Sequence, residues 1–105
     1  NVVIDEFILG ASSEALLKKW SADKEEVCDC LGIVLMFYRD VLCVKSGAGD
    51  GALYNADRAA DVRRVAGKAS VIDIQAVIAQ TVKTVEAAHE NFNVKVALTL
   101  LKELM

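Results

Sequence analysis

One segment constrains the fold more than any other. From near Asp23 to Lys45 the sequence reads as a helix of about 22 residues, and its centre, residues 31–37, is apolar on every side. A helix without a polar face has to be buried all round. We therefore predict that this helix is the central element of the fold, with Gly32 allowing a close helix crossing and Gly47 ending the helix.

Apolar residues recur at intervals of three and four in four further segments. The first, residues 2–20, is interrupted at Gly10 and at Ser12 and Ser13, either of which can cap a second short helix. The others begin near Asn55 or Asp57, at Ser70 and at Val94. Because the 105 residues are 54% hydrophobic and contain no proline, they predict an all-α, compact bundle of five, possibly six, helices in one domain, residues 1–105.

Finer features of the last two helices can also be predicted. In the fourth segment the expected buried face carries Val71, Ile74, Ile78, Val82 and Val85. The sequence Asn91-Phe92-Asn93 then breaks the helix, since Asn91 can adopt the left-handed conformation and Asn93 can cap the following helix.

Charge and composition exclude some classes of function. A net charge of −3 argues against a domain whose affinity comes from neutralising phosphates. The middle segment, residues 31–68, is mildly basic, so a helical nucleic-acid-binding module stays open as an alternative, using Arg39, Lys45, Arg58, Arg63, Arg64 and Lys68. No apolar run approaches the roughly 20 residues that a bilayer span needs. The three cysteines favour a reducing, cytoplasmic location, and a start at Asn rather than Met suggests a piece of a longer protein.

No motif predicts catalysis. Cys28, Cys30, Cys43 and His89 could supply four zinc ligands, but residues two apart on a helix point in nearly opposite directions. We therefore expect small buried cysteines and a surface imidazole, with an enzyme or ligand-binding bundle built on these residues as a third alternative. The loop Gly47-Ala48-Gly49-Asp50-Gly51 lacks the strand and the Lys of a phosphate-binding loop and is predicted to be a connector.

Two further features of the sequence indicate a role in the fold or in subunit assembly. Arg39 and Asp40 lie in an otherwise apolar helix, where charges must be paired. They are expected to tie this helix to neighbouring helix ends, such as the Asn91–Asn93 corner, or else to contact another subunit. The last helix has an apolar stripe wider than one core contact needs. Trp20 and the flank formed by Val96 and Leu100 are either core or interface, and the sequence alone favours the core. The candidate subunit interface comprises Lys95, Val96, Leu100 and Leu104.

Three ordered motifs resemble a known family. They are Tyr38-Arg39-Asp40-Val41-Leu42 followed by Lys45, then Leu53-Tyr54-Asn55-Ala56-Asp57, and finally Asn91-Phe92-Asn93-Val94-Lys95-Val96-Ala97-Leu98. Over roughly residues 14–105 this order and spacing resemble the C-terminal domain of the bacterial DNA polymerase III delta-prime subunit. The motif residues carried by the resemblance are Arg39, Asp40, Asn55, Asp57, Asn91 and Asn93. A similar domain of the gamma/tau subunit, or of a related AAA+ protein, is the alternative.

The resemblance implies a collar domain at the C-terminus of an AAA+ type protein. Such a domain assembles side by side with the equivalent domains of the delta and gamma/tau subunits, and the complex loads the sliding clamp during DNA replication. Because ATP hydrolysis in that family belongs to gamma/tau, the resemblance implies no catalytic residue, metal or cofactor here. It implies contact with DNA only through the assembled complex and no contact with a membrane.

Overall fold

All regular structure in the described part of the chain is helical. The computed structural model describes residues 1–11, 14–47 and 49–105. A π-helix, Val3–Ile8, is followed by α1 (Glu14–Ser21), α2 (Lys24–Lys45), α3 (Ala59–Lys68), α4 (Val71–His89) and α5 (Val94–Leu104), with two short 3-10 turns, Asp50–Ala52 and Ala56–Arg58, between α2 and α3. The predicted all-α class is confirmed. The expected caps Ser12 and Ser13, and Ala48 of the expected loop, lie outside the described residues.

Helix α2 is the central element, as predicted. The Asp23 side chain accepts a hydrogen bond from the Glu26 backbone N–H at 3.1 Å, which caps the first turn. At the other end, Gly47 has a φ of 88°, a conformation that glycine adopts without strain. Between these ends α2 packs against α1, α3, α4 and the π-helix. Its fully buried apolar side chains are Val27, Leu31, Val34, Phe37 and Val41.

One side of α2 departs from the prediction of burial all round. Gly32 is exposed, and a Cβ built on it would meet no atom within 4 Å, so it makes no close helix crossing. Ile33 and Met36 are half-buried beside it and line a shallow groove together with Tyr54. The partner helices cover the other sides of α2, which an apolar sequence alone cannot distinguish from full enclosure.

The N-terminal segment forms a π-helix because its hydrogen bonds span five residues. The Leu9 N–H donates to the Ile4 carbonyl at 2.9 Å. Gly10 follows directly, and a Cβ there would lie only 2.8 Å from the Asp5 carbonyl oxygen, so this tight exit requires glycine. Phe7 from this helix packs on Trp20 of α1 with ring centroids 5.1 Å apart. Trp20 is buried, which confirms its predicted place in the core.

The buried face of α4 is rotated from the predicted one. Ile74 is buried as expected, but Val71 and Val82 are exposed. The buried face continues instead through Val77, Thr81, Thr84 and Ala88. The two threonines can be buried because their hydroxyls donate to carbonyl oxygens one turn earlier in the same helix, each at 2.7 Å. The prediction for Val82 was wrong because it followed the spacing of the branched apolar residues, whereas the buried face includes Thr81 and Thr84.

The ends of α4 use two different devices. Ser70 and Asp73 form a capping box, in which each side chain accepts from the other's backbone N–H, at 3.1 and 3.0 Å. At the other end, Asn91 and Asn93 both have positive φ, 53° and 50°. The left-handed Asn91 is confirmed. Asn93 occupies the N-cap position of α5, as predicted, but its side chain makes no capping hydrogen bond.

Candidate functional site

The most completely satisfied polar group in the core is the carboxylate of Asp40. It is fully buried and accepts hydrogen bonds from the backbone N–H of Tyr54 at 2.8 Å, from that of Asn55 at 2.7 Å, and from the Asn55 side-chain amide at 2.9 Å. Hydrogen bonds to an ionised acceptor are among the stronger ones in proteins. This Asp40 junction, formed by Asp40, Tyr54 and Asn55, fastens α2 to the connector that leads into α3.

Two neighbouring motif residues contribute less to this arrangement. Arg39 places one guanidinium nitrogen 3.4 Å from an Asp40 oxygen, but its side chain is half exposed rather than enclosed. Asp57 is exposed in the 3-10 turn that follows the junction. The structure therefore brings Arg39, Asp40 and Asn55 together and leaves Asp57 at the surface beside them.

The Asn91–Asn93 corner does not take part in the Asp40 junction. It follows α4, whose last residue, His89, accepts a hydrogen bond from Lys24 at 3.4 Å through its carbonyl. Lys24 begins α2, and Asp40 lies about 24 Å further along the helix axis at 1.5 Å per residue. Asp40 does tie α2 to another segment, but the predicted segment was the wrong one: the two motifs sit near opposite ends of α2.

The candidate subunit interface lies on the outward side of α5. Leu98 and Leu101 of this helix are fully buried, whereas Val96, Leu100 and Leu104 are 57%, 48% and 45% exposed. A spacing of four residues places the latter three on one stripe of the helix. We call Val96, Leu100 and Leu104 the α5 outer face. Contiguous exposed apolar side chains of this kind are typical of a surface that another molecule covers.

Lys95, the charged member of the predicted interface, lies at the edge of this face. It forms an ion pair with Glu14 of α1, and both side chains are largely exposed. The pair joins the first and last α-helices, which also pack against each other. An exposed pair of this kind contributes little to stability, so Lys95 remains accessible to a carboxylate on a partner.

The basic residues of the middle segment are largely paired within the chain. Arg58 forms a two-point contact with Asp5 of the π-helix, at 2.7 and 3.0 Å, and lies 3.2 Å from Asp61. These carboxylates raise the pKa of Arg58, and Arg58 lowers the pKa of Asp5 to about 2. Arg64 also faces Asp61, at 3.1 Å. Cations already paired with carboxylates are poorly suited to phosphate binding, which weakens the nucleic-acid alternative.

Cysteine and histidine do not assemble into a site in the described part of the chain. Across residues 1–11, 14–47 and 49–105 there is no group of three or more His, Cys, Asp and Glu residues that could hold a metal ion. Cys30 is buried, and burial raises its pKa to about 11, so it is a neutral thiol. Cys28 and Cys43 are only half-buried, and His89 is exposed at the end of α4. None of the described helices is both long and apolar enough to cross a membrane.

These features together define a class of protein. A helical bundle with a fully satisfied core and an exposed apolar stripe on its last helix is typical of a protein-interaction domain. The family described as DNA polymerase III, delta subunit, C terminal, matches residues 7–105. The chain therefore belongs to this family, a non-catalytic domain of the clamp loader. Neither the comparison with curated proteins nor that with solved structures gives a match.

The family match confirms the clamp-loader resemblance predicted from the three motifs. It does not by itself confirm the narrower delta-prime assignment. The signals that carried the resemblance were mostly structural residues: Asp40 and Asn55 form one junction, and Asn91 and Asn93 adopt the backbone conformation of the α4–α5 corner. Sequence reasoning missed Lys102, whose ammonium group donates hydrogen bonds to the backbone carbonyls of Phe7 and Gly10.

Proposed function

We propose that the chain is a collar domain that joins its subunit to neighbouring clamp-loader subunits, and that the α5 outer face is the contact surface. The observation that carries this proposal is the exposure of Val96, Leu100 and Leu104 on one stripe of α5, opposite the buried Leu98 and Leu101. Folding of the chain leaves this stripe uncovered, and association with a second helical domain would remove it from water.

The energetics of the face favour association with a protein. Burying a whole Val or Leu side chain contributes about 1.5–3 kcal/mol. Because each of the three residues is about half exposed, covering the face would contribute roughly 1 kcal/mol per residue. That amount supports one part of a larger interface and is too small to hold a complex alone. The Glu14–Lys95 pair at the edge would add charge selectivity to the contact.

The narrower assignment is to the delta-prime subunit, on the strength of the three ordered motifs that contain Arg39, Asp40, Asn55, Asn91 and Asn93. Its partners would be the collar domains of the delta and gamma/tau subunits, within a longer AAA+ protein of the cytoplasm. The domain would need no cofactor of its own. Its part in DNA replication would be to hold together the complex that loads the sliding clamp, with DNA contacted only through that complex.

The test of the interface is co-purification with the other clamp-loader subunits. We expect the double variant Val96→Asp/Leu100→Asp to weaken assembly at least about tenfold, since two charges would be buried without partners. The matched control is Ile72→Asp on α4, where a 77% exposed apolar side chain undergoes the same chemical change. All variants should unfold at a temperature close to that of the unsubstituted chain.

Two results would count against this surface. Normal assembly of the double variant would remove the α5 outer face from the interface. Equal loss in the Ile72→Asp control would move the interface to α4. The subunit assignment is tested separately by pairwise mixing of collar domains: a delta-prime collar should bind those of delta and gamma/tau, whereas binding to a delta-prime collar would contradict the assignment.

A further inference from the structure

A cavity of about 490 Å³ lies where the end of the π-helix, α3, the start of α4 and the end of α5 meet. Its size falls within the range of small-molecule sites. Apolar side chains from several elements form part of the wall, among them Ile8, Val65 and Val77. Neither the family assignment nor the proposed collar contact gives this cavity a role.

The charged part of the wall is mainly positive. Arg64, Lys68 and Lys102 line the cavity, against the single carboxylate side chain of Asp73. Asp73 is already engaged in the capping box, where the hydrogen bonds with Ser70 lower its pKa. Lys68 forms no hydrogen bond or ion pair with any of the residues that the structure describes, so its charge remains available to a ligand.

Lys102 adds a cation whose hydrogen-bond partners, among the described residues, are all backbone carbonyls. Its ammonium group donates to the Phe7 oxygen at 2.5 Å and to the Gly10 oxygen at 2.6 Å, with the Ile8 oxygen at 3.5 Å. These are carbonyls near the C-terminal end of the π-helix, where the helix dipole is negative. No carboxylate pairs with Lys102 among the described residues, and desolvation lowers its pKa. An anion in the adjoining cavity would supply the missing counter-charge.

Tyr38 adds a hydrogen-bond donor to the wall of the cavity. Its side chain is only 3% exposed and lines the cavity, yet its hydroxyl hydrogen-bonds to no residue in the described part of the chain. Burial raises the pKa of Tyr38 to about 12, so the hydroxyl keeps its proton at neutral pH and can donate. Among the described residues no buried side-chain nitrogen or oxygen lacks a partner, so this hydroxyl is reached by solvent and is free to donate to a ligand oxygen.

We propose that this cavity binds a small organic anion, a carboxylate or phosphate monoester joined to a compact apolar group. The anionic group lies between Lys68 and Lys102 and accepts a hydrogen bond from Tyr38, whereas Arg64 stays paired with Asp61. The apolar group contacts the wall formed by Ile8, Val65 and Val77. The site is separate from the proposed subunit contact, apart from Leu104, which borders both.

Titration of the 105-residue chain, followed by backbone amide NMR shifts, tests the proposal. The probes are phenyl phosphate and 4-phenylbutyrate, which separate phosphate from carboxylate, with inorganic phosphate and phenol as the two halves alone. At least one whole probe should bind about tenfold more tightly than either half, because the charged and apolar contacts act together. The shifts should centre on Val65, Lys68, Ala69 and Lys102.

Two variants and a control connect the binding to named side chains. Lys68→Gln should weaken the bound probe about tenfold, and Tyr38→Phe about fivefold while keeping the ring in place. Lys83→Gln, an exposed lysine of α4 that does not line the cavity, should have no effect. Equal effects of Lys68→Gln and Lys83→Gln, equally tight binding of phenol, or no binding of either whole probe would each overturn the proposal. If Tyr38→Phe unfolds the chain, the lysine pair decides the question.

Discussion

The Asp40 junction buries a polar group, whereas the α5 outer face leaves apolar groups exposed. At the junction a carboxylate is taken out of water, and both of its oxygens accept hydrogen bonds from N–H groups of Tyr54 and Asn55. On the outer face, apolar side chains that could be buried stay about half exposed. The first arrangement stabilises the folded chain by itself. The second contributes nothing until another surface covers it, so the two regions separate stability from assembly.

Helix α5 alone contains both a buried and an exposed apolar side. Truncating a buried residue of this helix should give the largest loss of stability among the variants considered. Leu98 is fully buried, whereas Leu100, two residues later, is 48% exposed. Leu98→Ala should lower the free energy of unfolding by about 3 kcal/mol, because it leaves a cavity in the core. Leu100→Ala should cost less than about 1 kcal/mol. Urea unfolding of both variants measures the difference, and similar losses would mean that the outer face is part of the core.

The next effect tests whether the Asp40 junction supports the fold. Asp40→Ala leaves the N–H groups of Tyr54 and Asn55 without their acceptor, which should cost about 2–3 kcal/mol of unfolding free energy. Asn55→Ala removes one side-chain hydrogen bond and keeps the carboxylate, so it should cost about 1 kcal/mol. Thermal unfolding of the two variants gives the comparison. A smaller loss for Asp40→Ala than for Asn55→Ala would contradict a junction centred on Asp40.

An exposed polar tie should behave differently from the buried one. Arg58 holds the pKa of Asp5 at about 2, below its usual value of 3.8. A lowered pKa in the folded state stabilises the fold above the unfolded pKa, and this contribution is lost as pH falls from about 4 through about 2. We therefore expect Asp5→Asn to be less stable than the unsubstituted chain at pH 6, with the gap closing near pH 2. Unfolding midpoints across this range measure it, and a gap that persists at pH 2 would reject the pairing as its cause.

Local signals in the sequence predicted the elements of the fold well. Asp23, Ser70 and Gly47 each end or begin a helix through contacts within a few residues, so their roles can be read directly from the sequence. The face of α4 was harder, because Thr81 and Thr84 satisfy their own hydroxyls inside the helix and pack as apolar residues. The three- and four-residue spacing of the apolar residues therefore placed Val82 in the core, but Val82 is exposed.

Contacts between distant segments could not be predicted in the same way. The sequence indicates that Asp40 must be paired, but which backbone amides reach it depends on how the connector after α2 folds back. Lys102 and the π-helix carbonyls lie at opposite ends of the chain, and nothing in the local pattern of either indicates the other. Glu14 and Lys95 are likewise far apart in the sequence, and neither local pattern predicts their pairing. The candidate interface on α5 was predictable only as surplus apolar residues.

The smallest expected effect on stability concerns Lys95, and it separates the two regions most sharply. Because its pair with Glu14 is exposed, Lys95→Glu should change the free energy of unfolding by less than about 1 kcal/mol. If Lys95 also meets a carboxylate on a partner at the edge of the α5 outer face, the same variant should weaken subunit assembly severalfold, since like charges would then face each other. Glu14→Lys combined with Lys95→Glu restores the pair inside the chain and serves as the control. Recovery of assembly in this double variant would assign the loss to the Glu14 contact, whereas continued loss would assign it to the partner.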